Sequence, residues 1–249
     1  MKKQFTGITH YPVYSNEVNA QAELPVWRIV ECLIDAASRH AEKNGFGYRN
    51  LIANGEAWVL ARLAVDMKRY PGVDETLTVE TWVEGCNKHF SSRNFKMTDE
   101  AGEVIGYGRS VWSVIDFTTR DSSDLLKYEE IADYITDLPC PIERPGRIPA
   151  VSDTHPESYR VRVSDLDINR HLTTAKYISH LLDLFPLETF DRETIHRFEI
   201  QFVNEVLYDE QVILSKQLVR QGEYALEMKN GGGTVCCKCR CVFVEKNPV

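Results

Sequence analysis

The residues of this chain best suited to chemistry fall in one run, Ser164-Asp165-Leu166-Asp167-Ile168-Asn169-Arg170-His171-Leu172-Thr173-Thr174-Ala175-Lys176-Tyr177. Asp167, Asn169 and His171 are spaced by two, so an extended lead-in puts all three on one side. An apolar-periodic helix begins just afterwards. A carboxylate, an amide and an imidazole then stand beside the unpaired backbone N–H groups of a helix N-terminus. Those parts suit acyl transfer. An imidazole moves protons near neutral pH, and a carboxylate can orient it or a water. An amide and backbone donors can steady an oxyanion. By spacing alone, an ordinary helix cap with a polar surface histidine competes with this reading. A serine nucleophile has less support, because the chain lacks a Gly-x-Ser-x-Gly elbow and Ser164 has no supporting context.

No cysteine stands in a recognisable catalytic setting. Four of the seven crowd together as Cys236, Cys237, Cys239 and Cys241. In an extended strand the last three share a face at intervals of about 7 Å, too wide to converge on one zinc ion without a turn. Small reduced thiols packed in a core are the favoured reading, and neither a metal nor a cofactor is expected.

The elements that must position the Asp–Asn–His run form two similar sets. Residues 25–44 read as a helix, with Trp27, Val30, Leu33, Ile34 and Ala37 at helical spacing. Strand patterns follow: Ala57, Val59, Ala61, Leu63, Val65 and Met67 share one face, then Leu77, Val79, Thr81 and Val83. The turn Asp99-Glu100-Ala101-Gly102 leads into a strand over 103–117. A short amphipathic helix is expected near 125–138. Five of the ten prolines lie between Pro139 and Pro156 and mark an extended connector. Beyond it come a short strand (159–163), a helix carrying Leu172, Ala175, Ile178, Leu182 and Phe185, and strands over 194–206, 211–220, 223–229 and 233–245. Glycine turns separate the later strands. The class is therefore α+β with antiparallel sheets, divided into residues 1–138, a linker at 139–158, and residues 159–249. A faint repeat aligns Glu17-Val18-Asn19 with Asp167-Ile168-Asn169 at a separation of 150, which makes Gln21 the counterpart of His171.

Composition bounds the partners. The chain has 249 residues, 43% of them hydrophobic, and a net charge of −8, so neither nucleic acid nor an anionic membrane is an expected partner. No run approaches the roughly 18 apolar residues of a membrane span. The start Met1-Lys2-Lys3-Gln4 is basic but lacks a following apolar core, and a cytoplasmic location is expected.

With these motifs in view, the sequence resembles the acyl-(acyl-carrier-protein) thioesterases of plant plastids and bacteria. That family carries an Asp-x-Asn-x-His-x-Asn-Asn-x-x-Tyr run. Here Asp167, Asn169, His171 and Tyr177 are kept, while Thr173 and Thr174 replace the paired Asn. Further similarities follow in order: Trp58-Val59-Leu60-Ala61-Arg62, Pro71-Gly72-Val73-Asp74, Thr81-Trp82, Arg93-Asn94-Phe95, Asp99-Glu100-Ala101-Gly102 and Ser110-Val111-Trp112-Ser113-Val114-Ile115-Asp116. The resemblance spans roughly residues 5 to 245 and implies two fused hotdog folds, each a long helix wrapped by a curved antiparallel sheet.

It also implies hydrolysis of fatty acyl-carrier-protein thioesters, with the acyl chain in a tunnel of the first hotdog. A family glutamate four residues before an Asp maps to Glu205 in Glu205-Val206-Leu207-Tyr208-Asp209. The cysteine that plant members often carry next is Val206 here, so water is the implied nucleophile, activated by Glu205 or His171. The stretch Arg120-Asp121-Ser122-Ser123-Asp124 departs from the family's arginine-proline-rich pattern at that place. From residue 144 to 176, six Lys or Arg meet four Asp or Glu. Arg160, Arg162, Arg170 and Lys176 there form either a docking face for an acidic carrier or a solvated face. Open alternatives are a hotdog acyl-CoA thioesterase, a non-catalytic acyl-binding module and, with less support, a hotdog dehydratase. A homodimer is also left open.

Overall fold

The computed structural model describes residues 5–152 and 155–246. The basic N-terminal start and Asp153 of the local charge balance lie outside the described residues. The first half runs β1 (Thr6–Pro12), α1 (Val26–Lys43), α2 (Tyr48–Ala53), β2 (Glu56–Met67), β3 (Thr76–Cys86), β4 (Ser91–Thr98) and β5 (Val104–Asp116). A 3₁₀ turn (Leu125–Lys127) and α3 (Glu129–Ala132) then stand where a single helix over 125–138 was expected. The second half runs β6 (Glu157–Arg160), α4 (Thr174–Leu182), α5 (Leu187–Arg192), β7 (Glu193–Phe202), β8 (Gln211–Arg220), β9 (Glu223–Asn230) and β10 (Val235–Glu245).

All ten strands form one sheet, in the order β1-β3-β4-β5-β2-β7-β10-β9-β8-β6. Each half contributes five adjacent strands in mirrored order, and the halves meet where β2 pairs antiparallel with β7. α1 packs against β1 and β3, α4 packs against β8 and β9, and the two helices pack against each other. One hydrophobic core therefore takes residues from both halves, including Ile29, Leu33 and Phe95 from the first and Ile178, Phe198 and Leu226 from the second. Close approach of α1 depends on Gly108 in β5, where an added Cβ would lie 3.0 Å from Leu33.

The internal repeat is real, but its register differs from the one read above. The Asn19 carboxamide accepts from Gln21 N and Glu23 N (both 3.0 Å). Likewise Asp167 Oδ1 accepts from Asn169 N (2.8 Å) and His171 N (3.0 Å). Ala22 and Arg170 both have left-handed backbones, at φ 58° and 65°. Asn19, Gln21 and Glu23 are thus the counterparts of Asp167, Asn169 and His171. Matching residue letters alone had misplaced the alignment by two positions.

After β2 and β7 the match continues. Asp74 and Asp209 are left-handed at 66° and 65°, and Gly72 N and Leu207 N each donate to a glutamate three residues on. In this frame Tyr70 is the counterpart of Glu205.

Three departures have local causes. The expected face of β2 is broken by a bulge between Leu60 and Arg62, which turns Trp58 and Leu60 inward where Ala57, Val59 and Ala61 were expected. The second long helix is split into α4 and α5, because Pro186 lacks an amide donor and disfavours helix before it. The expected strand 159–163 begins and ends earlier, at Glu157–Arg160, and a 3₁₀ turn occupies Val163–Asp165.

The proline-rich connector is extended and strapped to the sheet. Cys140 O accepts from Arg109 (2.8 Å), Gly146 N donates to Glu199 (2.6 Å), and Ile148 and Val151 are buried.

Candidate active site

The Asp167–His171 segment is a tight turn rather than an extended lead-in. Asp167 N donates to His171 O (2.8 Å) and Arg170 N to Asp167 O (3.0 Å), which closes the backbone on itself. The Asp167 carboxylate oxygen caps the same turn through the Asn169 and His171 amides. Its observed work is therefore to shape the loop, not to orient the imidazole. Asn169 is exposed, and among the described residues its side chain makes no hydrogen bond. α4 starts three residues beyond His171, with Thr173 Oγ1 capping Lys176 N at 3.3 Å.

Deeper contacts fix the ends of the turn. Asp165 is buried and accepts from Tyr159 OH (2.7 Å) and Arg162 N (2.8 Å), while its carbonyl takes Thr173 N (2.8 Å). Burial alone would push the Asp165 carboxyl up, but these donors, with His180 and Lys176 nearby, hold it below its ordinary value.

Glu205 reaches the turn from the connection after β7. Leu172 N donates to Val206 O (2.9 Å), and His171 pairs with Leu207 as an isolated antiparallel bridge. Tyr177 OH, from α4, donates to Asn204 O (3.3 Å), and Asn204 Nδ2 donates to Val235 O (2.7 Å). Thus braced, Glu205 Oε2 stands 3.4 Å from His171 Nε2. The side chains are 36% and 23% exposed, half-open to solvent at a surface a substrate can reach. Val206 is fully buried in the core, which fits its replacing a cysteine as a packing residue.

Of the four residues singled out by sequence, His171 and Glu205 are brought together. Asp167 supports their turn, and Asn169 stands exposed beside it. Sequence reasoning missed three contributors: Asp165, the hold of Tyr177 on Asn204, and Arg120. Arg120 reaches across from the first half to pair with Glu205. Nothing local to residue 120 in the sequence signals that crossing.

A second feature lies in the first half, where Ala37, Ala41, Phe46, Trp58, Trp112 and Arg93 line a cavity between helix and sheet. Both indole N–H groups are satisfied, Trp58 by Phe46 O (2.8 Å) and Trp112 by Ser110 Oγ (2.7 Å), so the rings offer apolar faces. Arg93 is buried beside His40 (3.1 Å) and Thr81 (3.3 Å), and burial pushes its guanidinium down to about 10. Val30 and Leu33 of α1 are fully buried core. The four clustered cysteines are fully buried as well. Among the described residues no helix is long and apolar enough to cross a membrane.

Two helix-on-sheet halves sharing one antiparallel sheet, with a His–Glu pair at one of two equivalent turns, define a tandem hotdog protein. Comparison with known proteins agrees. The acyl-ACP thioesterase N-terminal domain profile matches residues 4–134 and the C-terminal domain profile residues 149–244. This chain belongs to the acyl-ACP thioesterase family. It is 34% identical to an acyl-ACP thioesterase from Bacteroides thetaiotaomicron whose crystal structure superposes with a TM-score of 0.91, covering 96% of this chain and 98% of that one. A 12:0-ACP thioesterase from Umbellularia californica shares the fold at a TM-score of 0.85 and 20% identity, over 98% of this chain and 99% of that one. A chloroplastic palmitoyl-acyl carrier protein thioesterase from Cuphea hookeriana is 26% identical over 210 residues, 79% of this chain and 51% of its own length. The chain thus spans about half the length of the plant relatives it matches.

Proposed function

We propose that this protein hydrolyses the thioester of a fatty acyl chain carried on acyl carrier protein, releasing the free fatty acid. The observation that carries this reading is the approach of His171 Nε2 to Glu205 Oε2, at 3.4 Å on a half-open surface. In the proposed step a water between that pair and the thioester loses its proton to the pair and attacks the carbonyl carbon. The oxyanion is steadied by the Asn169 carboxamide and by amides at the start of α4. When the tetrahedral intermediate collapses, the C–S bond breaks and the pair returns the proton to the leaving thiolate.

The division of labour follows from this. Residues 1–138 supply the acyl cavity, 139–158 the strap, and 159–249 the Asp167, Asn169, His171 and Glu205 set. Within the repeat, Trp58 and Leu60 are the counterparts of Glu193 and Ile195. Those two line a small pocket together with Glu23 and Tyr70, the counterparts of His171 and Glu205. That symmetry supports an entry to the apolar cavity, which Trp58 lines, from the side of the His–Glu pair. An acyl chain entering there gains about 0.8 kcal/mol per buried CH₂.

Seven unpaired cysteines fit a reducing compartment such as the cytoplasm. The test is hydrolysis of a chain-length series presented on carrier protein and on coenzyme A, by wild type, His171→Ala and Glu205→Gln. Loss of a general base typically costs about 10²–10⁴ in rate. Near-normal turnover in both variants removes the site, faster coenzyme A turnover removes the carrier assignment, and binding without turnover leaves an acyl-binding module.

A further inference from the structure

Glu205 has a second neighbour besides His171, and it comes from the other half of the molecule. Arg120 Nη2 pairs with Glu205 Oε2, the same oxygen that faces His171. Arg120 sits at the tip of a turn following β5, and that turn is built rather than loose. Asp116 Oδ1 accepts from Thr118 N (2.7 Å) and Thr119 N (2.9 Å). Arg120 N donates to Asp116 O (2.9 Å), and Asp116 N donates to Asp121 O (3.0 Å). Arg120 itself has a left-handed backbone at φ 64°.

The far side of the turn is pinned as well. Ser123 N donates to Val114 O (2.8 Å), and Ser123 Oγ, Lys127 Nζ and Tyr128 OH all converge on the buried Glu56 carboxylate. The equivalent turn in the first half is also met by a cation from the other half. Lys246, just past β10 of the second half, reaches back to both oxygens of Glu23 at 3.1 Å. In each half of this chain, a cation just past the last strand thus meets a carboxylate of the other half, although Glu23 is the counterpart of His171 rather than of Glu205.

We infer that Arg120 is a positioning residue for hydrolysis, holding the Glu205 carboxylate against His171 from across the two halves. This rests on the proposed His171–Glu205 site. Glu205 lies on an irregular connection and is 36% exposed, so without a partner its carboxylate is free to sample several rotamers. A guanidinium fixed by a braced turn selects the one beside the imidazole, and small misplacements of a reacting group are costly in rate. Arg120 touches Glu205 rather than substrate, so its loss acts on turnover more than on binding.

The experiment compares Arg120→Ala and Arg120→Lys, each in wild-type and Glu205→Gln backgrounds, with kcat and KM measured on the same acyl-carrier substrate. Arg120 is 48% exposed and its backbone is left-handed at φ 64°, so unchanged thermal melting is required to show that the variants fold without added strain. The expected result for Arg120→Ala is a fall in kcat on the order of tenfold with little change in KM, partly restored in Arg120→Lys. In the Glu205→Gln background, assayed at high enzyme concentration, Arg120→Ala then costs nothing further. Wild-type kcat in Arg120→Ala while Glu205→Gln is inactive overturns the inference and leaves the site intact. An equal loss in both backgrounds overturns it too, since that marks a role independent of Glu205. Normal turnover in Glu205→Gln removes the site reading, and this inference with it.

Discussion

Ala64 and Glu199 face each other in register where β2 pairs with β7, and each is the other's counterpart in the internal repeat. The approximate twofold axis of the molecule passes between them. One side of the axis carries a methyl group and the other a buried carboxylate. Glu199 receives Arg197 at 2.7 Å, Arg240 at 2.9 Å and the Gly146 amide of the strap at 2.6 Å, so it ties the second half to the strap, and Arg197 extends the tie to Asp66 of the first half at 2.7 Å.

Burial alone would push the Glu199 carboxyl up, but Arg197, the Gly146 amide and Arg240 outweigh it and hold it below its ordinary value. A carboxyl depressed on folding contributes stability that is present above its unfolded value near 4.3 and lost as pH falls through the folded value. Glu56, Asp165 and Glu223 are shifted in the same sense. The melting temperature should therefore fall steeply on the acid side. Glu199→Ala removes an acceptor from Arg197 and from the Gly146 amide, while Arg197 keeps Asp66 at 2.7 Å, and should cost roughly 1–3 kcal/mol at pH 7. Its acid-side loss should also be shallower than that of wild type. Thermal melts followed by circular dichroism across pH 3–8 check both points, and a wild-type melting temperature for the variant at pH 7 would sink the argument.

The asymmetry at the axis extends to the two turns. Where the second half has His171 and Glu205, the first has Glu23, engaged by Lys246, and Tyr70, whose hydroxyl donates to Ile195 O (2.9 Å). These are structural ties. Glu23→Ala and Tyr70→Phe should keep full turnover while lowering stability, by about 1 kcal/mol for the lost tyrosine hydrogen bond. A large drop in kcat without loss of stability in either variant would mean that both turns take part in chemistry.

Much of this arrangement could be read from residue patterns, and what escaped had identifiable causes. β8 was read with its observed bounds, 211–220, because alternation ends at a Gln-Gly turn. β1 and β4 carried no clean apolar pattern: β4 buries Ser91, Arg93 and Asn94, polar residues that break the alternation expected of a half-buried strand. The bulge at Ala61 reversed a face that alternation alone had assigned. At the site, residue types and spacing suggested acyl chemistry but did not separate it from a helix cap. Glu205 entered through family resemblance, since a carboxylate at a strand end carries no signal of its own. Arg120 was out of reach because its contact depends on how the halves meet. The repeat misled because its conserved feature is a hydrogen-bonding pattern, shared by Asn19 and Asp167, rather than a string of identical letters.

The cavity beside Trp58 yields a prediction about chain length. Ala37 lies on α1, is nearly fully buried and lines that space. Ala37→Leu fills part of it, at a cost in stability of about 1–3 kcal/mol. Longer acyl chains should lose turnover while shorter ones keep it, moving the optimum down the series. An unchanged length profile in a folded variant would place the acyl chain elsewhere.

Charge at the mouth of the site gives the last prediction. Of the four cations considered for carrier docking, Lys176 lies 3.5 Å from Asp165 and Arg160 pairs with Asp209 at 3.3 Å, so their charge is largely spent locally. Arg162 and Arg170 form no ion pair among the described residues. Arg170 stands on the turn itself, two residues from the exposed Ile168. An acidic carrier meeting that tip would find a cation next to an apolar contact, one residue from His171. Arg170 is left-handed at φ 65°, so alanine would confuse loss of charge with backbone strain, whereas asparagine tolerates that conformation. Arg170→Asn should therefore preserve the turn, raise KM several-fold on carrier-linked substrate, and leave kcat nearly unchanged. Its effect should shrink as salt rises, because an exposed charge is screened beyond about 10 Å at 0.1 M. Hydrolysis of a short acyl thioester without a carrier should be unaffected. Equal KM for wild type and variant at low salt would show that this face is only solvated.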